Sequence, residues 1–122
     1  MDRKELEERL IDYAVLMIEM CNALPNTKVG NHLSGQLVRS GTSPALNHRE
    51  AQSAESRSDF IHKIQIVLKE LRETVVCLKI IDRSKLLRVK SEIEKVKYGI
   101  KEDNELISTF VKSVETAKKN LK

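Results

Sequence analysis

Tryptophan is absent and aromatic residues make up only 3% of the 122 positions, which argues against a surface that stacks exposed bases on aromatic rings. Glycine and proline are also scarce, at four and two. With 40% hydrophobic and 33% charged residues, the balance is that of an ordered, helix-rich chain. Two cysteines, Cys21 and Cys77, are too few for a disulfide framework; both fall beside apolar rows and read as free buried thiols. The longest apolar run, residues 10–24, is broken by Asp12, Glu19 and Asn22, too short and too polar to span a bilayer. Residues 1–9 are charged and lean acidic, unlike a secretory leader. A cytoplasmic protein with no membrane partner is expected. There is no phosphate-binding loop, no glycine-flanked nucleophile and no pair of ligands at metal spacing. His32, His48 and His62 stand far apart in sequence. No catalytic residue, metal or cofactor is therefore predicted, and the protein is not expected to be an enzyme.

What is present is helical periodicity, centred on residues 36–82. Phe60, Ile64, Val67, Leu71, Leu78 and Ile81 step by three and four, with Thr74 interrupting, and Ile61, Leu68 and Val75 widen the stripe. That spacing places one broad apolar face on a helix able to touch more than one neighbour. Upstream, Ser40, Gly41, Thr42, Ser43 and Pro44 would ordinarily punctuate a chain, since Gly costs a helix interior about 1 kcal/mol and Pro about 3. Yet Val29, Leu33 and Leu37 before them and Asn47, Ala51 and Ala54 after them keep one phase. The reading is one long helix kinked between Gly41 and Pro44, with two shorter helices as the alternative. The hydroxyls of Ser40, Thr42 and Ser43 and the amide of Asn47 become a polar network if they are buried.

The first helix carries Leu6, Leu10, Tyr13, Met17, Met20 and Leu24 on one row and Ile11, Ala14, Ile18 and Cys21 on a second. So wide an apolar surface exceeds what neighbours in a small bundle usually cover, and self-association is expected. Asp2, Thr27 and either Ser56 or Ser58 are candidate N-caps. The last segment steps through Leu86, Val89, Ile93, Val96, Ile100, Asp103, Ile107, Phe110, Val114, Ala117 and Leu121. Asp103, its one polar member, either faces solvent at a local shift of the stripe or sets register by pairing with a basic group. No stretch alternates with period two for long. The fold class predicted is all-α, an antiparallel up-down-up-down four-helix bundle about 40 Å tall, with residues 1–122 as one domain.

Charge is unevenly spread. Residues 1–24 hold three basic and six acidic groups, residues 83–101 seven basic and two acidic, and residues 112–122 four basic and one acidic. On the second and third helices, Arg39, His48, Arg49, Arg57, Lys63, Lys69 and Arg72 form a basic set facing Glu50, Glu55, Glu70 and Glu73. Either these charges pair across a solvated face, or the cations meet an anionic partner. In a cyclic oligomer they would repeat by symmetry into a concentrated field.

Leu37, Arg39, Ser40, Gly41, Thr42, Ser43 and Asn47, followed by Glu50-Ala51, Phe60-Ile61-His62-Lys63 and Leu68-Lys69-Glu70, resemble the bacterial four-helix-bundle family first described from intervening sequences of large-subunit ribosomal RNA genes. They are also similar to the accessory proteins of diversity-generating retroelements. The resemblance runs from about Tyr13 to Leu121, and Arg39 to Ser43 is its most specific part. It implies an antiparallel four-helix bundle that assembles as a pentameric barrel with a basic surface for nucleic acid. The family often has small residues where this chain has Pro44-Ala45-Leu46, and an aromatic pair near Val76-Cys77. Two functions follow as expectations. One is a homo-oligomeric, pentamer-favouring accessory protein that binds RNA, DNA or a ribonucleoprotein without sequence readout, through Arg39, Arg49, Arg57, Lys63, Lys69 and Arg72. In it, Ser40, Gly41, Thr42, Ser43, Asn47 and Glu50 form the structural motif. The other is an interaction module that docks a protein partner.

Overall fold

The computed structural model describes residues 1–121 as four helices, α1 (Arg3–Ala23), α2 (Lys28–Gln52), α3 (Arg57–Arg83) and α4 (Lys90–Lys119). Each helix packs on its neighbours in chain order, and α1 also meets α4, closing a four-helix bundle. No strand occurs among the described residues. The first three helices start where a short polar side chain can take an orphan backbone N–H. Asp2 accepts from Glu5 N at 2.8 Å, Thr27 from Gly30 N at 3.0 Å, and Ser56 from Asp59 N at 3.0 Å. The fourth begins after Val89 with no side-chain cap.

The row from Leu6 to Leu24 on α1 is buried throughout, as are Ile64, Val67, Leu71, Leu78 and Ile81 on α3. At about 1.5 to 3 kcal/mol per enclosed side chain, this face outweighs local propensity and holds the bundle together. The second row of α1 divides differently: Ala14 and Cys21 are half-buried, while Ile11 and Ile18 are exposed. Val29, counted in the apolar phase of α2, is exposed as well.

Helix α2 runs without interruption through Pro44, so the two-helix alternative does not apply. Pro44 has no N–H to give the carbonyl of Ser40. Packing keeps the helix intact: Ser40, Gly41, Pro44 and His48 are all buried, Ser40 against Thr74 of α3, Gly41 against Met17 of α1 and His48 against Phe110 of α4. The Gly41 position is a close approach of helices. A Cβ there would lie 2.5 Å from Met17 Cγ and 2.7 Å from Met17 Cβ, so α1 sits where only a hydrogen leaves room.

Two expectations for α4 are corrected. The helix begins at Lys90 and not at Leu86. Ahead of it Leu87 is buried in the core, while on the periodic row Leu86 packs half-buried against that core and Val89 is exposed. Nor does Asp103 face solvent or pair with a basic group. It is fully buried, and its Oδ2 accepts a hydrogen bond from the Tyr13 hydroxyl across the α1–α4 seam. Beside it, Arg9 forks onto Glu102 with two contacts of 2.7 Å and reaches Glu105 at 3.2 Å. These neighbours raise the Arg9 guanidinium above its ordinary value, the Glu102 hydrogen bond foremost.

Candidate nucleic-acid interface

The consecutive residues Arg39, Ser40 and Gly41 face three different ways. Arg39 crosses to α3, where Nη1 lies 3.0 Å from Glu70 and Nη2 2.7 Å from Glu73. The hydrogen bond to Glu73 and the nearby Glu70 charge raise the guanidinium above its ordinary value, and Arg39 lowers Glu73 in turn. Ser40 is buried, with its Oγ 2.9 Å from Thr74 Oγ1, which lies 2.7 Å from the carbonyl of Glu70. Gly41 faces Met17. Of the remaining motif residues, Thr42 donates to the carbonyl of Val38 at 2.6 Å, and Asn47 donates to the Ser43 hydroxyl at 2.8 Å. Glu50 lies 3.7 Å from Lys63. These contacts stay inside the bundle and tie α2 to itself, to α1 and to α3.

The six expected phosphate contacts therefore divide. Arg39, Arg49 and Lys63 each have an internal carboxylate, Arg49 reaching Glu7 at 3.6 Å. Among the described residues Arg57, Lys69 and Arg72 have none. Arg57 stands at the start of α3, away from the other two, which border an outward groove between α2 and α3. His48 leaves the basic set: it is buried edge-on to Phe110 at 5.8 Å, and burial lowers its pKa.

A second cationic group lies where α3 passes into α4. A cavity of about 760 Å³ there has Ile81, Leu87, Ile93 and Val96 in its wall and Arg83, Lys85 and Arg88 at its edge. Asp82 is already matched by Lys97 at 3.4 Å. The other three cations have no carboxylate partner among the described residues. Lys85 also holds a left-handed backbone with φ 56°, a conformation that costs an L-residue about 1–2 kcal/mol. The excess of basic residues over positions 83–101 was the signal for this group, although periodicity says nothing of the cavity.

The family model for the 23S rRNA-intervening sequence protein matches residues 5–109. The chain belongs to this family. A solved protein of unknown function from the S23 ribosomal protein family of Bacteroides thetaiotaomicron superposes with a TM-score of 0.82 at 29% identity, over 94% of this chain and 99% of that one. No curated protein matches. The intervening-sequence family is ribosomal-protein-like and is not a known class of enzyme. No helix among the described residues is long and apolar enough to cross a membrane.

Proposed function

We propose that this intervening-sequence family protein is a non-enzymatic, cytoplasmic accessory protein that self-associates, most simply as a pentamer, and holds RNA or a ribonucleoprotein by its phosphates. The observation that carries the proposal is the unpaired trio Arg83, Lys85 and Arg88 around the α3–α4 cavity. Cations already matched by carboxylates gain little from a phosphate, whereas free ones release counterions on binding. Arg57, Lys69 and Arg72 add to the same positive field. Repetition around a ring multiplies it without any change in the single subunit. With few aromatic side chains, affinity comes from backbone contacts and carries little sequence preference.

Filter binding to mixed-sequence RNA, in single-stranded and duplex form, tests this. Binding at about 50 mM salt that weakens steeply as salt rises is the expected result. Replacing Arg83, Lys85 and Arg88 by Glu should weaken it and flatten the salt dependence by about two phosphate contacts or more. Absence of affinity for any RNA or DNA at that salt overturns the proposal.

The reading as a protein-docking module is favoured by a different observation, the internal pairing of Arg39, Arg49 and Lys63. A stoichiometric protein partner recovered after nuclease treatment would decide for it.

A further inference from the structure

The cavity where α3 passes into α4, about 760 Å³, has the size of a site for one small organic group. Its floor is apolar. Ile81 and Val96 are each 1% exposed and Leu87 6%, and Ile93 packs half-buried beside them. Among the described residues the lining holds one carboxylate, Asp82, and Lys97 answers it at 3.4 Å. Arg83, Lys85 and Arg88, all exposed, therefore border the opening as three charges without a carboxylate partner among the described residues.

A cationic rim over an apolar floor narrows the ligand. Bare inorganic phosphate would meet the cations and leave the floor uncovered. An internal phosphodiester carries a single charge, whereas a terminal phosphate monoester carries about −1.5 to −2 at neutral pH and offers three acceptor oxygens. Three cations around one opening suit the monoester better, and an arginine fork can grip two of its oxygens at once. A duplex keeps its bases stacked away from such a hollow, while the end of a single strand can lay its ribose and base over the floor. Lys85 adds a sign of its own. Its φ of 56° disfavours any residue with a Cβ, and backbone strain of this kind collects at ligand clamps.

We propose that the α3–α4 cavity holds the phosphorylated end of an RNA strand, with Arg83, Lys85 and Arg88 on the terminal phosphate and the apolar floor under the ribose and the flank of its base. This site rests on the RNA-holding reading above and names the part of the RNA that enters it. No aromatic side chain lines the cavity among the described residues. The end nucleotide is therefore held by aliphatic contact and charge, and its base is not read.

Fluorescence anisotropy tests the site with one short single-stranded RNA, labelled at an internal base and made with a 5′-phosphate, with a 3′-phosphate, or with hydroxyls at both ends. A phosphorylated end is expected to tighten binding about tenfold or more over the hydroxyl-ended strand. Arg83→Gln and Arg88→Gln, both at exposed positions, should each shrink that ratio. Arg72→Gln, on the α2–α3 groove, should weaken all three strands alike and leave the ratio standing. In competition, a nucleoside monophosphate should displace the phosphorylated strand at lower concentration than inorganic phosphate does, because only the nucleotide covers the floor. Equal affinity for the three strands, with binding still lost when Arg83, Lys85 and Arg88 become Glu, overturns the inference and leaves the RNA reading intact. Inorganic phosphate competing as well as the nucleotide overturns it too, since the floor then contributes nothing. A mononucleotide that binds as tightly as the phosphorylated strand overturns the strand end in favour of free nucleotides. Failure of every strand to bind removes the RNA reading itself and the inference with it.

Discussion

The Tyr13 hydroxyl on α1 donates to the Asp103 carboxylate on α4, with both residues enclosed by the core and Asp103 Oδ1 left without a hydrogen-bond partner among the described residues. A carboxylate in that setting is short of hydrogen bonds, so the bundle prefers it protonated. Burial foremost, with Glu102 nearby and against the Tyr13 hydrogen bond, raises Asp103 from its ordinary 3.8 to about 7.

That shift gives stability an unusual pH dependence. Between pH 3.8 and about 7 the unfolded chain has lost the proton that the folded chain keeps, so stability falls as pH rises and levels off above the folded value. The slope from this one group approaches about 1.4 kcal/mol per pH unit within the window. Asp103→Asn removes the titration while preserving shape. Urea unfolding at pH 5 and pH 8 should show the variant gaining on the wild type at the higher pH. An unchanged difference between the two proteins at both pH values would contradict the assignment.

Tyr13→Phe removes the one hydrogen bond that the Asp103 side chain has among the described residues, while keeping the ring. The expected loss is about 1–3 kcal/mol, larger at pH 8 than at pH 5 because the ionised carboxylate needs the donor more. Equilibrium unfolding in urea at the two pH values measures it.

Two glycines on α2 should respond in opposite directions. Gly41→Ala drives a methyl into Met17, and a net loss of about 1–2 kcal/mol is expected after the gain in helix propensity. Nothing lies within 4 Å of the Cβ position at Gly35, so Gly35→Ala should stabilise by about 0.5–1 kcal/mol. Thermal and urea unfolding of the pair gives both signs in one experiment.

Lys85 combines backbone strain with an unpaired charge. Lys85→Gly relieves the left-handed backbone and should raise stability by about 1 kcal/mol. The same change removes a cation from the α3–α4 cavity, so RNA affinity should fall while the melting temperature rises. Calorimetry and filter binding on one preparation separate the two effects.

Much of this architecture is legible from spacing alone. The α1 row from Leu6 to Leu24 and the α3 row from Ile64 to Ile81 are buried where a period of three and four places them, because that period reports a local helix face. The caps at Asp2 and Thr27 are legible for the same reason, since partner and cap are three residues apart. What spacing misses depends on register between distant segments. Asp103 is buried because Tyr13, 90 positions earlier, arrives opposite it. His48 looks cationic until Phe110 is placed over it. Arg39 looks like a phosphate ligand until α3 brings Glu70 and Glu73 beneath it. The trio Arg83, Lys85 and Arg88 is visible only as a charge excess, because the cavity they share exists once α3 has turned into α4.

Native mass spectrometry with and without a short mixed-sequence RNA tests whether assembled copies hold RNA by their free cations. The prediction is a complex at a multiple of 13.9 kDa that gains the mass of RNA, and that loses this gain in the Arg83, Lys85 and Arg88 to Glu variant while remaining assembled. A single 13.9 kDa species, unchanged by RNA at low salt, would contradict it.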